Sequence, residues 1–334
     1  MKLGKLSESA LKRSVLSPAG LEKDVFPSVD GQGIEIPEGY ELVVTTDPIT
    51  NARSYLPELG IYNGINDLAV CGAKPVGLTL TILLTERERE IYLSRFMKRV
   101  QEICQAESLR ILGGHTEVTD AITRPLVSVT MFGIRKKGHP QVKLRKDEKR
   151  KGLEIIMAGA LGVEGTAILA TDRKEQMAKR FTPGFVRQCQ DFIFNLSVRR
   201  AAEILGPNSY YLHDLSEGGI YAGLWELGEA LHTGFEVVLK DFVIRQETIE
   251  VCELFDLNPY GLVSGGCLLG VTDHGEEVVE ELREVGILAK IIGHLTDGSD
   301  RLMIMGEQKR FLDPPKSVNN CIYWNVAKKE EKEC

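Results

Sequence analysis

The 334 residues carry 41 lysines and arginines against 48 aspartates and glutamates, a formal net charge of −7. With 43% hydrophobic and 27% charged residues the composition is that of an ordinary globular protein, which excludes disordered, collagen-like and coiled-coil classes. Global acidity argues against a general nucleic-acid binder, whose footprint is basic, and the longest apolar stretches, 77–85 and 153–163, are too short to span a bilayer.

The N-terminus has no apolar secretory core, so the reading expects a cytoplasmic, membrane-free protein, and the length predicts two domains. The seven cysteines (71, 104, 189, 252, 267, 321 and 334) are odd in number and scattered, without a Cys-x-x-Cys pair. That pattern suits neither a disulfide framework nor a zinc site, so most are read as reduced, buried apolar residues. Cys334 ends a charged tail and is the exception.

In chain order, residues 1–40 read as loop, rich in Pro and Gly. A strand over 41–46 is expected to stop at Asp47-Pro48. A helix follows over 62–73, ended by Gly72 and Pro75, then a strand over 76–84 and a long amphipathic helix over 86–106. Further strands are read at 109–112, stopping at Gly113-Gly114, and at 126–133. Residues 135–151 hold nine lysines and arginines and no aromatic, and are read as a solvated linker between domains. The second half restarts with a strand over 153–158, a glycine loop and a helix over 165–172. Helices follow over 187–205, 217–231 and 276–285, with strands at 210–212, 235–239 and 289–292 and a Gly265-Gly266 turn between. Alternation in both halves gives an α/β or α+β class. The division is 1–140, 150–310 and a tail over 311–334.

Asp24, Asp47, Asp67 and the run His115-Thr116-Glu117 sit near expected strand ends or helix junctions. Strand ends of an open sheet converge on one crevice, and carboxylates gathered there suit Mg²⁺ bridging to phosphates. The plainer reading makes Asp47 and Asp67 turn and cap residues. No Gly-x-x-x-x-Gly-Lys-Ser/Thr is present, which excludes a P-loop. Gly159 to Thr166, and His213-Asp214-Leu215-Ser216-Glu217-Gly218-Gly219, each precede a helix in a context that suits an anion at the helix N-terminus; a tight turn and a cap are the alternatives. His213 has the pKa range for acid–base work.

Thr46-Asp47-Pro48, the run 66–75 (Asn-Asp-Leu-Ala-Val-Cys-Gly-Ala-Lys-Pro) and Leu112-Gly113-Gly114-His115-Thr116-Glu117 resemble the first half of the ATP-dependent AIR synthetase (PurM)-like superfamily. That superfamily includes the hydrogenase maturation factor HypE and thiamine-phosphate kinase. Residues 162–170 and His213 to Gly219 resemble its second half, in the family's order. The resemblance implies a two-domain PurM-like fold, α/β plus α+β, whose N-terminal α/β sheet domain forms a homodimer and whose C-terminal domain is α+β.

It further implies ATP with Mg²⁺ held by acidic residues: Asp24, Asp47, Asp67 and Glu117. Asn66, Gly113, Gly114, Thr116, Glu164, Gly165, Gly218 and Gly219 would line the nucleotide together with Asp47 and Asp67, and His213 and Asp214 would serve catalysis. His115 stands where relatives often carry an acid. The size suits the HypE-like, AIR-synthase-related group, although the chain ends in Lys-Glu-Cys334 without the Pro-Arg that precedes that group's carbamoyl-accepting cysteine.

Three readings follow. The first is an ATP-dependent enzyme that phosphorylates an amide-type oxygen, in hydrogenase maturation with a partner protein. The second is a kinase of a small-molecule substrate, of the thiamine-phosphate type. The third is a non-catalytic nucleotide binder. Glutamates around Cys334 would raise its thiol pKa, which favours an incidental tail residue there.

Overall fold

The computed structural model describes residues 1–21, 31–138 and 150–315, in two compact units. The elements of the first are β1 (Gly4–Lys5), α1 (Glu8–Leu11), β2 (Tyr40–Ile49), α2 (Leu56–Val70), β3 (Lys74–Leu84), α3 (Glu90–Ala106), β4 (Arg110–Val118) and β5 (Leu126–Lys136). The helical turn of α1, capped by Ser7, continues to Leu16 inside a stretch read as loop.

The strand order is β1-β4-β3-β5-β2, with β3 and β4 parallel and the other pairs antiparallel. Two expected stops fail. Strand β2 runs through Asp47-Pro48, because it is an edge strand and a nitrogen without a hydrogen there costs no ladder bond. Strand β4 runs through Gly113-Gly114, beside a bulge in its pairing with β3.

Helix α2 starts before residue 62 and ends as read. Gly72, left-handed at φ 69°, donates to Ala69 O, and Ala73 donates to Leu68 O, which satisfies the last carbonyls. Helices α2 and α3 cover one sheet face, burying Leu59, Ile65 and Leu68 with Phe96 and Val100 against Leu80, Ile82, Val129 and Met131. Leu42, Val44, Thr46 and Thr81, on the other face, stay exposed.

The second unit contains β6 (Glu154–Ala158), α4 (Val163–Asp172), α5 (Lys174–Arg180), α6 (Pro183–Asp191), α7 (Arg199–Leu205), β7 (Tyr211–Asp214) and α8 (Gly219–Leu231). It continues with β8 (Gly234–Val238), α9 (Gln246–Phe255), β9 (Leu268–Thr272), α10 (Gly275–Glu284), β10 (Ala289–Thr296), β11 (Arg301–Met305) and β12 (Gln308–Phe311). The sheet order is β12-β11-β8-β10-β6-β9-β7. Leu224, Leu227 and Leu231 of α8 pack on Ile155, Phe235 and Leu269, whereas Ala202 and Leu205 of α7 and Leu282 of α10 pack on Ile156 and Leu268.

The helix expected over 187–205 is divided. Thr182 caps α6 and Pro183 opens it, which moves its start upstream, and the chain leaves the helix before α7. Helix α9 and strands β11 and β12 have no counterpart in the sequence reading. Among the described residues no helix is long and apolar enough to cross a membrane. Cys104, Cys189, Cys252 and Cys267 are buried free thiols, and burial pushes the first three up to about 12. Cys321 and Cys334 lie outside the described residues.

Candidate functional site

In the first unit the sequence brings two of the expected aspartates to one sheet face. Gly60 and Gly64 face β5; a Cβ at Gly60 would lie 2.6 Å from Val129 Cγ2, and one at Gly64 2.8 Å from Met131 Cβ. Their bareness lets α2 settle close to the sheet. Asp67, in the last turn of α2, then accepts a hydrogen bond from Thr45 Oγ1 of β2. Asp47 lies two residues along the same strand and therefore points to the same side as Thr45. Asn66 is buried beside Asp67 in the chain, at 1% exposure. The Gly60-x-x-x-Gly64 spacing was a legible signal for this close packing.

Strand β4 separates residues that the sequence placed together. Thr116 is buried and pairs with Ile82 on the helix-covered side. His115 and Glu117 alternate to the opposite face, where His115 Nε2 and Glu117 Oε2 lie 2.8 Å apart. Glu117 therefore does not join Asp47 and Asp67, because continuing the strand through the glycines reverses its side. Gly113 and Gly114 are strand residues, not a loop. A Cβ on Gly114 would meet the Leu80 carbonyl at 2.2 Å, so strand packing accounts for that glycine. Asp24 lies outside the described residues.

In the second unit three loops interlock. Gly162, left-handed at φ 68°, precedes α4 and donates from its N–H to Ser264 Oγ at 2.9 Å. Gly165 N–H donates to Val263 O, and Leu262 fills the space a side chain on Gly165 would need. The chain's own 262–264 loop thus takes the place that an anion would occupy at Gly165. Gly218 and Gly219 are left-handed, at φ 81° and 58°, and a Cβ on Gly219 would lie 2.6 Å from the carbonyls of Tyr260 and Leu262. Here too Gly219 answers to packing.

Glu164 in the first turn of α4 is the unusual group. It is buried at 4% exposure, and its Oε2 accepts from Gly265 N–H at 2.8 Å. Burial pushes its carboxyl up to about 7, against the opposing Gly265 hydrogen bond, and the nearby charges of Glu217 and Asp214 push the same way. The structure therefore groups Asp214 with Glu164 and Glu217. His213, next to Asp214 on β7, alternates to the other side, where its Nε2 meets Glu226 Oε2 of α8 at 2.7 Å. The two expected catalytic residues do not share a face.

Among the described residues no group of three or more His, Cys, Asp or Glu side chains could hold a metal ion. Mg²⁺ is commonly held by one or two carboxylates plus substrate phosphates, and the Asp47–Asp67 pair fits that pattern, whereas an all-protein cage is not built here.

Residues 29–135 match the family model for the AIR synthase related protein, N-terminal domain, and residues 150–304 the model for its C-terminal domain. A candidate hydrogenase expression/formation protein of Methanocaldococcus jannaschii is 26% identical over 301 residues, covering 88% of this chain and 82% of that protein. The carbamoyl dehydratase HypE of Rhizobium leguminosarum bv. viciae is 24% identical, covering 80% and 76%. Among solved structures, E. coli HypE superposes with a TM-score of 0.78 at 20% identity, over 96% of this chain and all of that one. HypE in complex with ATP gives 0.76 at 19%, over 95% and 97%. HypE in a HypE–HypF complex gives 0.67 at 20%, over 82% and 90%. At these identities the structural likeness establishes the fold, a two-domain PurM-like α/β architecture.

Proposed function

The chain belongs to the AIR synthase related family, and from that premise we propose that it is an ATP-dependent enzyme of the HypE type, which removes the oxygen of a carbamoyl amide in hydrogenase maturation. The observation that carries the proposal is the placement of Asp47 and Asp67 on one face of the first unit, with Thr45 holding Asp67. These two carboxylates would hold Mg²⁺ on the triphosphate, beside Asn66 and the buried Thr116. Bound ATP supplies the phosphoryl group that turns a poor leaving oxygen into phosphate.

Converting a primary amide to a nitrile also removes two protons from nitrogen. Asp214 is the group proposed to accept one, in the acidic surroundings it shares with Glu164 and Glu217. His213 points away from that group, toward Glu226 of α8, and is not proposed as an acceptor in this step. A maturation partner that delivers the carbamoyl group fits the relatives with which this chain aligns. We further propose a cytoplasmic homodimer formed through the first unit, since the edge strand β2 and the exposed Leu42 and Val44 leave that sheet uncovered.

The test is incubation of the full chain with Mg²⁺-ATP, carbamoyl phosphate and a carbamoyltransferase partner, read by ADP release and intact mass. A carbamoyl adduct that loses water as ADP forms is the expected result, and mapping it in a Cys334→Ser variant decides whether that residue carries it. ADP formed only with a phosphate acceptor such as thiamine phosphate would make the chain a kinase. ATP binding without turnover would make it a nucleotide binder.

A further inference from the structure

Ser264 is a serine at 0% exposure, on a loop to which the reaction proposed above assigns no role. A hydroxyl in such a place needs its hydrogen bonds made. Its Oγ accepts from Gly162 N–H at 2.9 Å and donates to Leu262 O at 2.7 Å, so one oxygen ties the start of α4 to the 262–267 loop. The main chain of that loop holds a third segment. Ser264 N–H donates to Ser216 O at 3.3 Å, and Leu215 N–H donates to Cys267 O at 2.8 Å. Leu215 and Ser216 are the residues between Asp214 and Glu217. Cys267 N–H returns to Ser264 O at 3.1 Å and closes the loop on itself.

Glu164 follows Gly162 in the first turn of α4, and Gly265, next to Ser264, donates to its Oε2 at 2.8 Å. A Cβ on Gly265 would lie 2.4 Å from that oxygen, so the carboxyl rests directly on the loop backbone. The loop therefore has Glu164 on one side and the 214–217 segment on the other. Burial above all raises the Glu164 pKa, and the charges of Glu217 and Asp214 add to it. Groups that repel one another stay together only where a frame holds them, and the bonds through Ser264 are such a frame.

We infer that Ser264 is a positioning residue: it locks the 262–267 loop as a clasp between Glu164 and the 214–217 segment, and so keeps Asp214 in place for its proton. The effect on turnover rests on the reading of Asp214 as the proton acceptor; the clasp itself does not.

The test compares Ser264→Ala with Thr166→Val in the full chain. Thr166 is an equally buried hydroxyl on the same helix, and it donates to Gly162 O and Thr248 Oγ1 rather than to the 262–267 loop. Amide hydrogen exchange is read residue by residue by NMR. In Ser264→Ala it should speed up by about tenfold or more at Gly265 and Leu215, whose bonds do not involve the Ser264 side chain, and in Thr166→Val it should stay at the parent rate there. In the ADP-release assay Ser264→Ala should lower kcat by about tenfold and leave KM for ATP within about twofold, whereas Thr166→Val should keep the parent kcat. Gly265→Ala presses on Glu164 from the loop side and should lower kcat in the same way, which covers a Ser264→Ala chain that does not fold. Parent exchange rates in Ser264→Ala, or equal acceleration by Thr166→Val, would overturn the clasp. Faster exchange with the parent kcat would overturn the positioning role. Parent turnover in Asp214→Asn would remove Asp214 as the acceptor, and the exchange rates, which need no turnover, would still decide the clasp.

Discussion

Replacing Glu164 by Gln should change how the stability of the second unit depends on pH. The carboxyl is buried and shifted from an ordinary 4.5 to about 7, chiefly by desolvation. That displacement is a penalty of about 3 kcal/mol on the ionised form in the folded state. Because the folded value is the raised one, the associated stability is fully present below 4.5 and is lost as pH rises through about 7. About 2 kcal/mol of the loss should develop between pH 5 and pH 8.

A glutamine keeps an acceptor for Gly265 N–H, whose bond to Glu164 is 2.8 Å long, and it carries no charge beside Asp214 and Glu217. Urea unfolding of parent and variant at pH 5 and pH 8, followed by circular dichroism, gives the comparison as a double difference, in which other titrating groups cancel. The variant should gain about 2 kcal/mol on the parent between the two pH values. An identical pH response in both proteins would refute the argument that burial raises the pKa of this carboxyl.

Gly60→Val should destabilise the first unit by about 1–3 kcal/mol, since its Cβ would press on Val129, and it should also reduce the thermal gain from Mg²⁺-ATP by displacing Asp67. Arg301 stacks 4.1 Å over the Trp225 ring and binds Glu229, so Arg301→Ala should cost about 1–2 kcal/mol in urea unfolding and alter Trp225 fluorescence. Sedimentation at micromolar concentration should give a dimer for the parent and a monomer for Val44→Glu, which puts a charge on the exposed sheet face.

The period of the apolar residues made α3, β3, β5 and β6 legible, because each carries a face that must be buried. The strand ends were not legible from proline and glycine alone. Pro48 stops a central strand but not an edge strand, and edge position is a property of the whole sheet. Gly114 reads as a turn, yet it is bare because the backbone of a neighbouring strand lies against it. The misread stop at Gly113-Gly114 placed His115, Thr116 and Glu117 in one loop, whereas the strand sends them to alternate faces. Asp67 was legible in its motif, but its partner Thr45 was not, since their meeting depends on how closely Gly60 and Gly64 let α2 approach β5. The upward shift of the Glu164 carboxyl was also beyond the sequence, because it comes from burial, with the 262–266 loop more than ninety residues away packed against it.

The most direct test of the account is a calorimetric titration of ATP into the full chain with and without Mg²⁺, repeated for Asp47→Asn and Asp67→Asn. The account predicts binding that requires Mg²⁺ in the parent and falls by tenfold or more, in rough terms, when either carboxylate becomes an amide. ATP affinity that is the same in all three proteins, or indifferent to Mg²⁺, would contradict it.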